Sequence, residues 1–591
     1  MRRAELFAVV GLAAASGVAA WALPRPAPIS IALIIPILWG ALFLYLPVRV
    51  ASWWCWRQVE SAAPNAEDRR ALALVLALGF GLLIWGIDWG LASRSWAPDE
   101  LRADWVRDVL DRGLSSGWYD KYPWLHYAIL GIPASAFELA ERVGILAPGG
   151  AAAWSAQLFL MRAVSVVMGL GTLVAAFLCA VELMGARHAV LAPLVLLLTP
   201  VFLYYGKLAN LDVPSLCWFG WAMVAFLRVL RGGVTRDYIW LGIAAAGSIA
   251  TKDQAYASLG LAGVAVVVVT ARRLEAQTWW QKLGKAIVDR RIAAAAASSV
   301  LAFAAFSNLL FNFAGFVSHV KLLLTHDYLG WLPREPASYL SLAGSTLSIF
   351  RWAFGWPLSA VAALGILGAV VRRERRWHLW LLAVPFSFYL LFTCVTMYVT
   401  DRFLLGGIFV LALFAGTACR DLITAARWQP IPRLAVAATC TYALAYAASI
   451  NVMMNTDARH VVRRWIAERA GPGTVVAIVG GAYAPVIDPP ARVAVVNPTV
   501  EAVEAAAPDF VVLNARYAER FEADRSPDGR VLMKALETGA LGVDEALRYR
   551  APMPAWAVLQ YERPMRSTAE SLITNLDKVN PEMVVYRRSR R

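Results

Sequence analysis

The feature that most constrains this chain is a series of apolar stretches, each about as long as a helix that crosses a bilayer. A membrane-spanning helix needs roughly 20 mainly apolar residues, and such stretches recur up to Asn455. This pattern predicts a mainly α, polytopic membrane protein of about thirteen transmembrane helices, near residues 5–22, 28–48, 71–92, 158–182, 188–206, 212–230, 238–251, 254–271, 292–317, 341–370, 378–398, 403–424 and 432–453.

Composition and charge agree with a membrane protein. Only 16% of residues are charged and 59% are hydrophobic, whereas soluble domains carry about a quarter charged residues. The net charge of +15 comes from short basic clusters between apolar stretches, such as Arg272/Arg273 and Arg290/Arg291. Such clusters are typical of cytoplasmic loops, so we expect no nucleic-acid partner. The six cysteines show no CxxC spacing, and neither a zinc ribbon nor a disulfide framework is indicated.

The basic loops also set the orientation and the domains. With these loops in the cytoplasm, the N-terminus is cytoplasmic and residues 93–157 form the first exported loop. A further apolar segment, 122–139, then lies in the interface or re-enters without crossing, because another span there would invert every later basic loop. We predict a transmembrane hairpin in 1–56, a transmembrane catalytic domain in 57–454 and an exported soluble α/β domain in 455–591. The expected location is the bacterial inner (plasma) membrane.

The composition of residues 455–591 predicts the α/β domain. Charge rises, apolar runs shorten to strand length, and Gly471-Pro472-Gly473 follows a helical pattern that starts at Ala458 and ends at Ala470. Gly and Pro after such a pattern are typical of a helix C-terminus. Short β-rich runs are expected at 475–479, 493–496, 510–513, 557–561 and 583–586.

The acidic pair Asp99-Glu100 is the strongest catalytic candidate. It follows Pro98 at the start of an amphipathic pattern that runs to Gly113. Acids in the first turn of a helix that begins near proline are also favourable without any function. The functional interpretation is that one carboxylate, held close to the bilayer, acts as general base on an acceptor hydroxyl.

The end of the same loop offers candidates for binding a substrate or a metal. Lys121, followed by Tyr122, is a suitable counter-charge for a lipid phosphate, although a lysine at this depth also marks the membrane surface. His126 is a further substrate candidate, and it could also join Asp120 in a divalent metal site. A lone histidine among aromatic residues is more often structural.

Several cations and one acid stand at exported ends of later spans. Lys207, Lys252 and Arg402 are substrate-binding candidates, and Asp212 is a candidate both for substrate and for the metal. Each cation alone could be an interfacial anchor, and Asp212 could be an ordinary N-cap.

The loop between residues 319 and 339 adds His326 and Arg334 among aromatic residues. Aromatic faces and charged hydrogen-bonding groups suit a sugar or a phosphate, yet aromatic belts at membrane interfaces look similar.

Taken in order, these motifs resemble the GT-C superfamily of polytopic glycosyltransferases, specifically the protein O-mannosyltransferase-like group that includes lipid A aminoarabinose transferases. Asp99-Glu100 matches the family's first-loop acidic pair, and Asp120-Lys121-Tyr122-Pro123 is similar to its acid-Lys-Pro-Pro element. The stretch from Met161 to Asp212 is similar to its arginine-led helix and second acidic loop, with lysine at the usual arginine. Gly247 to Lys252 and Arg402-Phe403 match later motifs.

The resemblance implies a membrane glycosyltransferase that moves a sugar from a polyprenyl-phosphate donor to an acceptor hydroxyl on the exported face, with inversion. Asp99 would be the general base, and Lys121, with Lys207, Lys252 or Arg402, would stabilise the leaving phosphate. Glu100, Asp120 and Asp212 would position substrates or hold a divalent ion. The acceptor could be a glycan, a lipid or a protein.

Two rival functions stay open. A transporter or flippase of a lipid-linked sugar would place its site near the bilayer midplane, commonly between internal repeats. The sequence shows no repeat, and its ionisable residues cluster at one face. The second rival is a non-catalytic glycan-binding or assembly protein.

Overall fold

A computed structural model of the chain describes residues 31–91, 96–97, 99–112, 122–144, 151–324, 338–425, 430–481, 483–515, 527–553 and 576–589. The predicted span 5–22 and the predicted strand 557–561 lie outside these residues. Within them the chain forms two compact units. The membrane unit contains residues 31–87 and Leu101–Ala448, and the C-terminal unit contains Asp88–Glu100 and Ser449–Arg591. The helix Ile431–Asn455 begins in the membrane unit, with which it is described, and its last seven residues belong to the C-terminal unit.

The elements of the membrane unit in its described residues are helices, joined by turns. Short 3₁₀ helices cover Arg373–Leu382 and Asp401–Leu404, and a π-helical stretch covers Tyr389–Thr393. Its α-helices are α1 (Ile31–Ala62), α2 (Ala66–Ile84), α3 (Ala103–Asp111), α4 (Trp124–Arg142), α5 (Ala151–Met184), α6 (Ala186–Ala189), α7 (Leu191–Leu197), α8 (Pro200–Tyr205), α9 (Asp212–Arg231), α10 (Thr235–Thr251), α11 (Ala255–Arg273), α12 (Trp279–Ile287), α13 (Arg290–Phe306), α14 (Phe313–Leu324), α15 (Tyr339–Phe354), α16 (Trp356–Val371), α17 (Ala383–Phe388), α18 (Cys394–Thr396), α19 (Leu405–Ala425) and α20 (Ile431–Asn455).

Among the described residues, seven helical segments are long and apolar enough to cross a membrane, and the bent pair α15–α16 would make an eighth. The chain is thus a multi-pass membrane protein, although the predicted count of about thirteen spans is not confirmed. All seven overlap predicted spans, although the first and the last each run 14 residues past the predicted ends at residues 48 and 453: Pro36–Ala62, Ala153–Met184, Asp212–Arg231, Ala255–Arg273, Arg373–Thr396, Asp401–Ala425 and Ile431–Ala467.

Other predicted spans are shorter or interrupted. The stretch 188–206 divides into short helices because Pro200 lacks an amide hydrogen and disfavours helix at the residue before it, and Thr199 is extended there. α10 and α13 have 17 residues each. The predicted re-entrant segment 122–139 is the helix α4, which is not among the seven candidate spans.

The bend between α15 and α16 has a local cause. The two helices meet at an angle of 107°. Gly355 joins them with a φ of +84°, a conformation that glycine adopts without the steric cost of a Cβ. Pro357 follows in the first turn of α16, where its missing amide hydrogen costs nothing.

Polar contacts hold the first loop against the helices that follow it. On α3, the Arg107 guanidinium pairs with the Glu141 carboxylate of α4 at 2.9 Å and donates to Gln157 of α5 at 3.0 Å. The amphipathic helix predicted in this loop is therefore present. It begins at Ala103, however, so the prediction that Asp99 opens it is wrong.

The C-terminal unit is a small α/β domain, as predicted. Its elements are α21 (Ala458–Ala467), β1 (Val475–Val479), β2 (Arg492–Val496), α22 (Val500–Ala506), β3 (Phe510–Asn514), α23 (Pro527–Glu537), β4 (Val543–Tyr549) and β5 (Met583–Arg588). The strand order is β2-β1-β3-β5-β4. β1 pairs in parallel with β2 and β3, whereas β5 pairs antiparallel with β3 and β4.

Alternating side chains of this sheet build a core on each face. Val476 and Phe510 pack with Val462 of α21 on one face. Ala477 and Val511 pack on the other face with residues of α22 and α23. The two-residue period of a strand produces this division. The domain is therefore three layers, with the sheet in the middle.

Candidate functional site

A polar cleft lies in the membrane unit, where three helical elements begin or end. Asp212 is the first residue of α9, Lys252 follows the last residue of α10, and Arg402 belongs to the 3₁₀ turn before α19. The cleft is lined by Asp212, Ser215, Leu216, Phe219, Ser248, Lys252, Gln254, Ala255, Ser258, Phe388, Arg402, Phe403, Leu405 and Gly406. Three of the predicted substrate residues therefore meet in one place.

The charges of this cleft are arranged around Phe403. The Lys252 ammonium forms an ion pair with the Asp212 carboxylate, whose side chain is 3% exposed. Lys252 Nζ and the Arg402 guanidinium carbon each lie 5.4 Å from the centroid of the Phe403 ring. An aromatic face attracts a cation at this distance. Phe403 thus contacts both cations, and Asp212 supplies the negative charge that pairs with Lys252.

Asp212 is not the N-cap of α9, although an N-cap was one explanation of it. Leu211 has that position, and the Asp212 amide donates to the Asn210 side-chain oxygen at 3.1 Å. The carboxylate is directed instead to Lys252. This geometry favours a role in the cleft over a purely local one.

Asp401 supports the neighbouring Arg402 and was missed as a site residue. Its carboxylate is fully buried and accepts hydrogen bonds from the Tyr205 hydroxyl at 3.0 Å and from the Arg402 amide at 2.7 Å. The Thr400 hydroxyl donates to the same oxygen at 3.0 Å. Buried carboxylates need such donors, so the turn that carries Arg402 is fixed.

A serine pair joins two walls of the cleft and was also missed. The hydroxyls of Ser215 on α9 and Ser248 on α10 lie 3.1 Å apart, and each is 3.1 Å from the other residue's carbonyl oxygen. Small residues allow this approach, since a Cβ on Gly247 would lie 2.6 Å from the Trp218 ring. The sequence signal that could have identified the pair is the run of Ala, Gly and Ser shortly before the polar end of α10.

Lys207 is buried outside this cleft. Its ammonium is fully buried and donates to the Leu82 carbonyl at 2.9 Å and to the Trp85 carbonyl at 2.7 Å. These carbonyls belong to the end of α2, where a cation is favourable. Lys207 therefore ties the loop before α9 to α2, and its role in substrate binding stays a prediction.

The candidates of the first loop are only partly described. Tyr122 is half-buried directly before α4, and His126 on α4 is fully buried. Within the described part of the chain, neither ring nitrogen of His126 has a hydrogen-bond partner. Asp120, Lys121, His326 and Arg334 lie outside the described residues.

The acidic pair belongs to the C-terminal unit by its packing. Asp99 is half-buried with a φ of +58°, and Glu100 is 3% exposed. The left-handed region is uncommon for a residue with a Cβ, although Asp tolerates it better than most. Strained residues of this kind concentrate at functional sites. Because Asp99 is not in a helix, the first turn of a helix no longer explains the pair.

The predicted metal site has one described member. Asp212 is paired with Lys252, and a cation beside a carboxylate competes with a divalent ion for it. No group of three or more His, Cys, Asp or Glu side chains within the described ranges could hold a metal. The divalent ion therefore stays a prediction.

Comparison with known proteins gives one family match. Residues 149–303 match the model of the family described as dolichyl-phosphate-mannose-protein mannosyltransferase. This region runs from the start of α5 into α13 and includes Asp212 and Lys252. A search of curated proteins finds no match.

Several solved structures are similar to this chain at low identity. ArnT from Cupriavidus metallidurans bound to undecaprenyl phosphate is 13% identical, covering 87% of this chain and 97% of that one with a TM-score of 0.44. Its apo form is 19% identical, covering 67% and 72% with a TM-score of 0.41. Archaeal oligosaccharyltransferase AglB from Archaeoglobus fulgidus, in complex with an inhibitory peptide and a dolichol-phosphate, is 11% identical, covering 83% and 75% with a TM-score of 0.43. The family match in residues 149–303 agrees with the resemblance to the protein O-mannosyltransferase-like group that the motifs carry.

Proposed function

We propose that this protein is a membrane glycosyltransferase that transfers a sugar from a polyprenyl-phosphate donor to an acceptor hydroxyl. The observation that carries the proposal is the cleft where Lys252 and Arg402 contact the same Phe403 ring beside Asp212. Two cations at the end of apolar helices suit a phosphate that enters from the bilayer. The family match over residues 149–303 supports the same class of donor.

In this proposal Lys252 and Arg402 stabilise the leaving phosphate. When the bond between the anomeric carbon and the phosphate oxygen breaks, the electron pair goes to that oxygen and the phosphate gains negative charge. Cations that are already in place stabilise this charge more in the transition state than in the bound donor. Asp212 holds the Lys252 ammonium in position before the donor binds.

Asp99 would act as the general base. Its carboxylate takes the proton of the acceptor hydroxyl as the acceptor oxygen attacks the anomeric carbon. In-line attack from the side opposite the phosphate inverts the anomeric configuration. The products are the glycoside, polyprenyl phosphate and a protonated Asp99, and Glu100 would orient the acceptor.

The remaining assignments complete the proposal. Activity is on the exported face of a bacterial inner membrane, with residues 455–591 exported and the N-terminus cytoplasmic. Tyr122, His126, His326 and Arg334 would contact substrates. The acceptor is a glycan, a lipid or a protein. If a divalent ion is required, Asp120 and Asp212 would bind it, and no step above depends on it.

Substitution of Asp99 by Asn tests the proposal. Asn is isosteric and also tolerates a positive φ, so this variant removes the base and keeps the backbone. We expect transfer of radiolabelled sugar from a panel of polyprenyl-phosphate sugars to fall by about 10²- to 10⁴-fold, with an unchanged melting temperature. Asp104→Asn is the matched control, because that side chain is 39% exposed and pairs with Arg102 on the surface.

Two outcomes would contradict the assignment. Full turnover in Asp99→Asn would remove this residue as the base. A wild-type protein that transfers sugar from no donor, with suitable acceptors present, would favour the transporter or flippase, and the broken pair α15–α16 would then be examined as its pathway.

A further inference from the structure

We infer that the C-terminal unit positions the acidic pair through a buried anchor made of Trp89, Trp96, Asp457 and Arg459. This inference rests on the proposed function, since it concerns the placement of the proposed base. All four residues belong to the C-terminal unit. None of them is proposed to touch the reacting atoms, so they are positioning residues.

The centre of the anchor is a fully buried ion pair. The side chains of Asp457 and Arg459 are both 0% exposed. Arg459 donates from Nε to Asp457 Oδ1 at 2.8 Å and from a terminal nitrogen to Oδ2 at 2.7 Å. Such a bidentate pair fixes the plane and direction of the guanidinium group. Further donation to the Lys578 carbonyl, at 2.8 Å, leaves the group little freedom.

Both tryptophans of the segment Asp88–Glu100 pack against this pair. The Arg459 guanidinium carbon lies 4.1 Å from the Trp96 ring centroid and 5.2 Å from that of Trp89. The Trp89 indole N–H donates to Asp457 Oδ2 at 3.0 Å, and the Trp96 indole N–H donates to the Ala484 carbonyl at 2.7 Å. Each indole ring is therefore held by two contacts: its face lies against the Arg459 guanidinium, and its N–H donates a hydrogen bond.

Gly90 makes room for this packing. Its φ is +67°, and a Cβ on it would lie 2.6 Å from the Trp96 ring. The Trp96 ring therefore lies directly on the backbone of its own segment. A side chain at residue 90 would have to displace the ring, which gives a second way to disturb the anchor without changing Arg459.

Trp96 is the residue of the anchor nearest to the acidic pair in the chain, and it lies three residues before Asp99. A carboxylate that serves as base must be within hydrogen-bond reach of the hydroxyl, and a displacement of about 1 Å can cost roughly 10²-fold in rate. Because Trp96 is fixed and Asp99 follows it so closely, the ion pair limits the positions that the acidic pair can take. The C-terminal unit would therefore be needed for turnover, beyond any contact with the acceptor.

Two pairs of variants test the inference in the full-length protein. Arg459→Lys removes the planar, bidentate group, and Arg463→Lys is its control on the same helix, since Arg463 pairs with Asp488. Gly90→Ala displaces Trp96. Its control is Gly473→Ala, which has the same kind of strain, with a φ of +88°, but nothing within 4 Å of the added Cβ. Both controls should keep wild-type turnover.

Two readouts separate positioning from general destabilisation. In Arg459→Lys and Gly90→Ala we expect kcat to fall at least tenfold while the KM for the donor stays the same. Hydrogen–deuterium exchange should become faster at the Leu101 amide, which donates to the Ala209 carbonyl at 2.7 Å in the wild type. If Arg459→Lys does not fold, Gly90→Ala gives the same test.

The outcomes distinguish the two proposals. If both variants leave exchange and kcat unchanged while Asp99→Asn loses turnover, the anchor is overturned and the proposed function stands. If exchange rises but turnover is unaffected by these variants and by Asp99→Asn, the anchor does hold the segment and the proposed role of Asp99 is wrong.

Discussion

Variants of the ion pair between Lys252 and Asp212 should separate its effect on the free energy of unfolding from its effect on turnover. Lys252→Met keeps most of the length and apolar packing of the side chain, and it leaves a carboxylate that is 3% exposed without its cation. Removing one partner of a buried ion pair costs about 3–5 kcal/mol. Because the Lys252 side chain is 15% exposed, we expect the lower end of that range, roughly 3 kcal/mol, for the free energy of unfolding.

The double variant Lys252→Met/Asp212→Asn should regain most of that stability. A neutral pair of similar volume often replaces a buried ion pair at little cost, so the coupling energy of the cycle should be about 2 kcal/mol or more. Turnover should not return, because the ammonium that stabilises the leaving phosphate is still absent. Loss of one such group costs about 10²- to 10³-fold in kcat.

The assay measures thermal unfolding in one fixed detergent and initial rates of sugar transfer for the wild type, both single variants and the double variant. Lys534→Met, an exposed lysine on α23, is the control for loss of a charge. Recovery of turnover together with stability in the double variant would refute the reasoning, since the role of Lys252 would then be structural. Additive effects on stability would refute the ion pair itself.

Two further variants test Lys207, which lies outside the cleft, and the support of the turn that carries Arg402. Lys207→Met should lower the melting temperature, because two carbonyls lose a buried donor at about 1–3 kcal/mol each. The kcat per folded molecule should stay within about twofold of the wild type. A large fall in kcat at unchanged stability would contradict this expectation. Tyr205→Phe removes the 3.0 Å hydrogen bond to Asp401 and should raise the donor KM, since Asp401 fixes the turn that carries Arg402. Initial rates over a range of donor concentrations measure it, and an unchanged KM would show that the turn does not need the tyrosine.

Hydropathy and charge predict much of this fold because membrane helices and half-buried strands have strong sequence patterns. Seven predicted spans overlap helices long and apolar enough to cross a membrane. Four predicted strands of the C-terminal unit are found as β1, β2, β3 and β5. β4 was missed because it is a mostly exposed edge strand whose sequence, VDEALRY, carries three charged residues among its seven. Such a strand lacks the alternation on which the prediction depends.

The site was predictable as a set of residue types but not as a set of contacts. Lys207 and Lys252 look alike in the sequence. Each stands at the end of an apolar run, directly after Gly206 in one case and Thr251 in the other. In the structure one donates to carbonyls at the end of α2, and the other pairs with Asp212 in the cleft. Which carbonyl or carboxylate lies within reach depends on helices that are far apart in the chain, and no local pattern records it.

Tertiary contacts also decide how the acidic pair is held. Trp96 is fixed within the C-terminal unit by its N–H and its ring. Only two residues lie between Trp96 and Asp99, so the chain between them has few conformations available. A residue this close to a fixed ring can keep a positive φ that a freer chain would leave. We therefore expect the acidic pair to be preorganised before any substrate binds, which is the condition under which a general base is most effective.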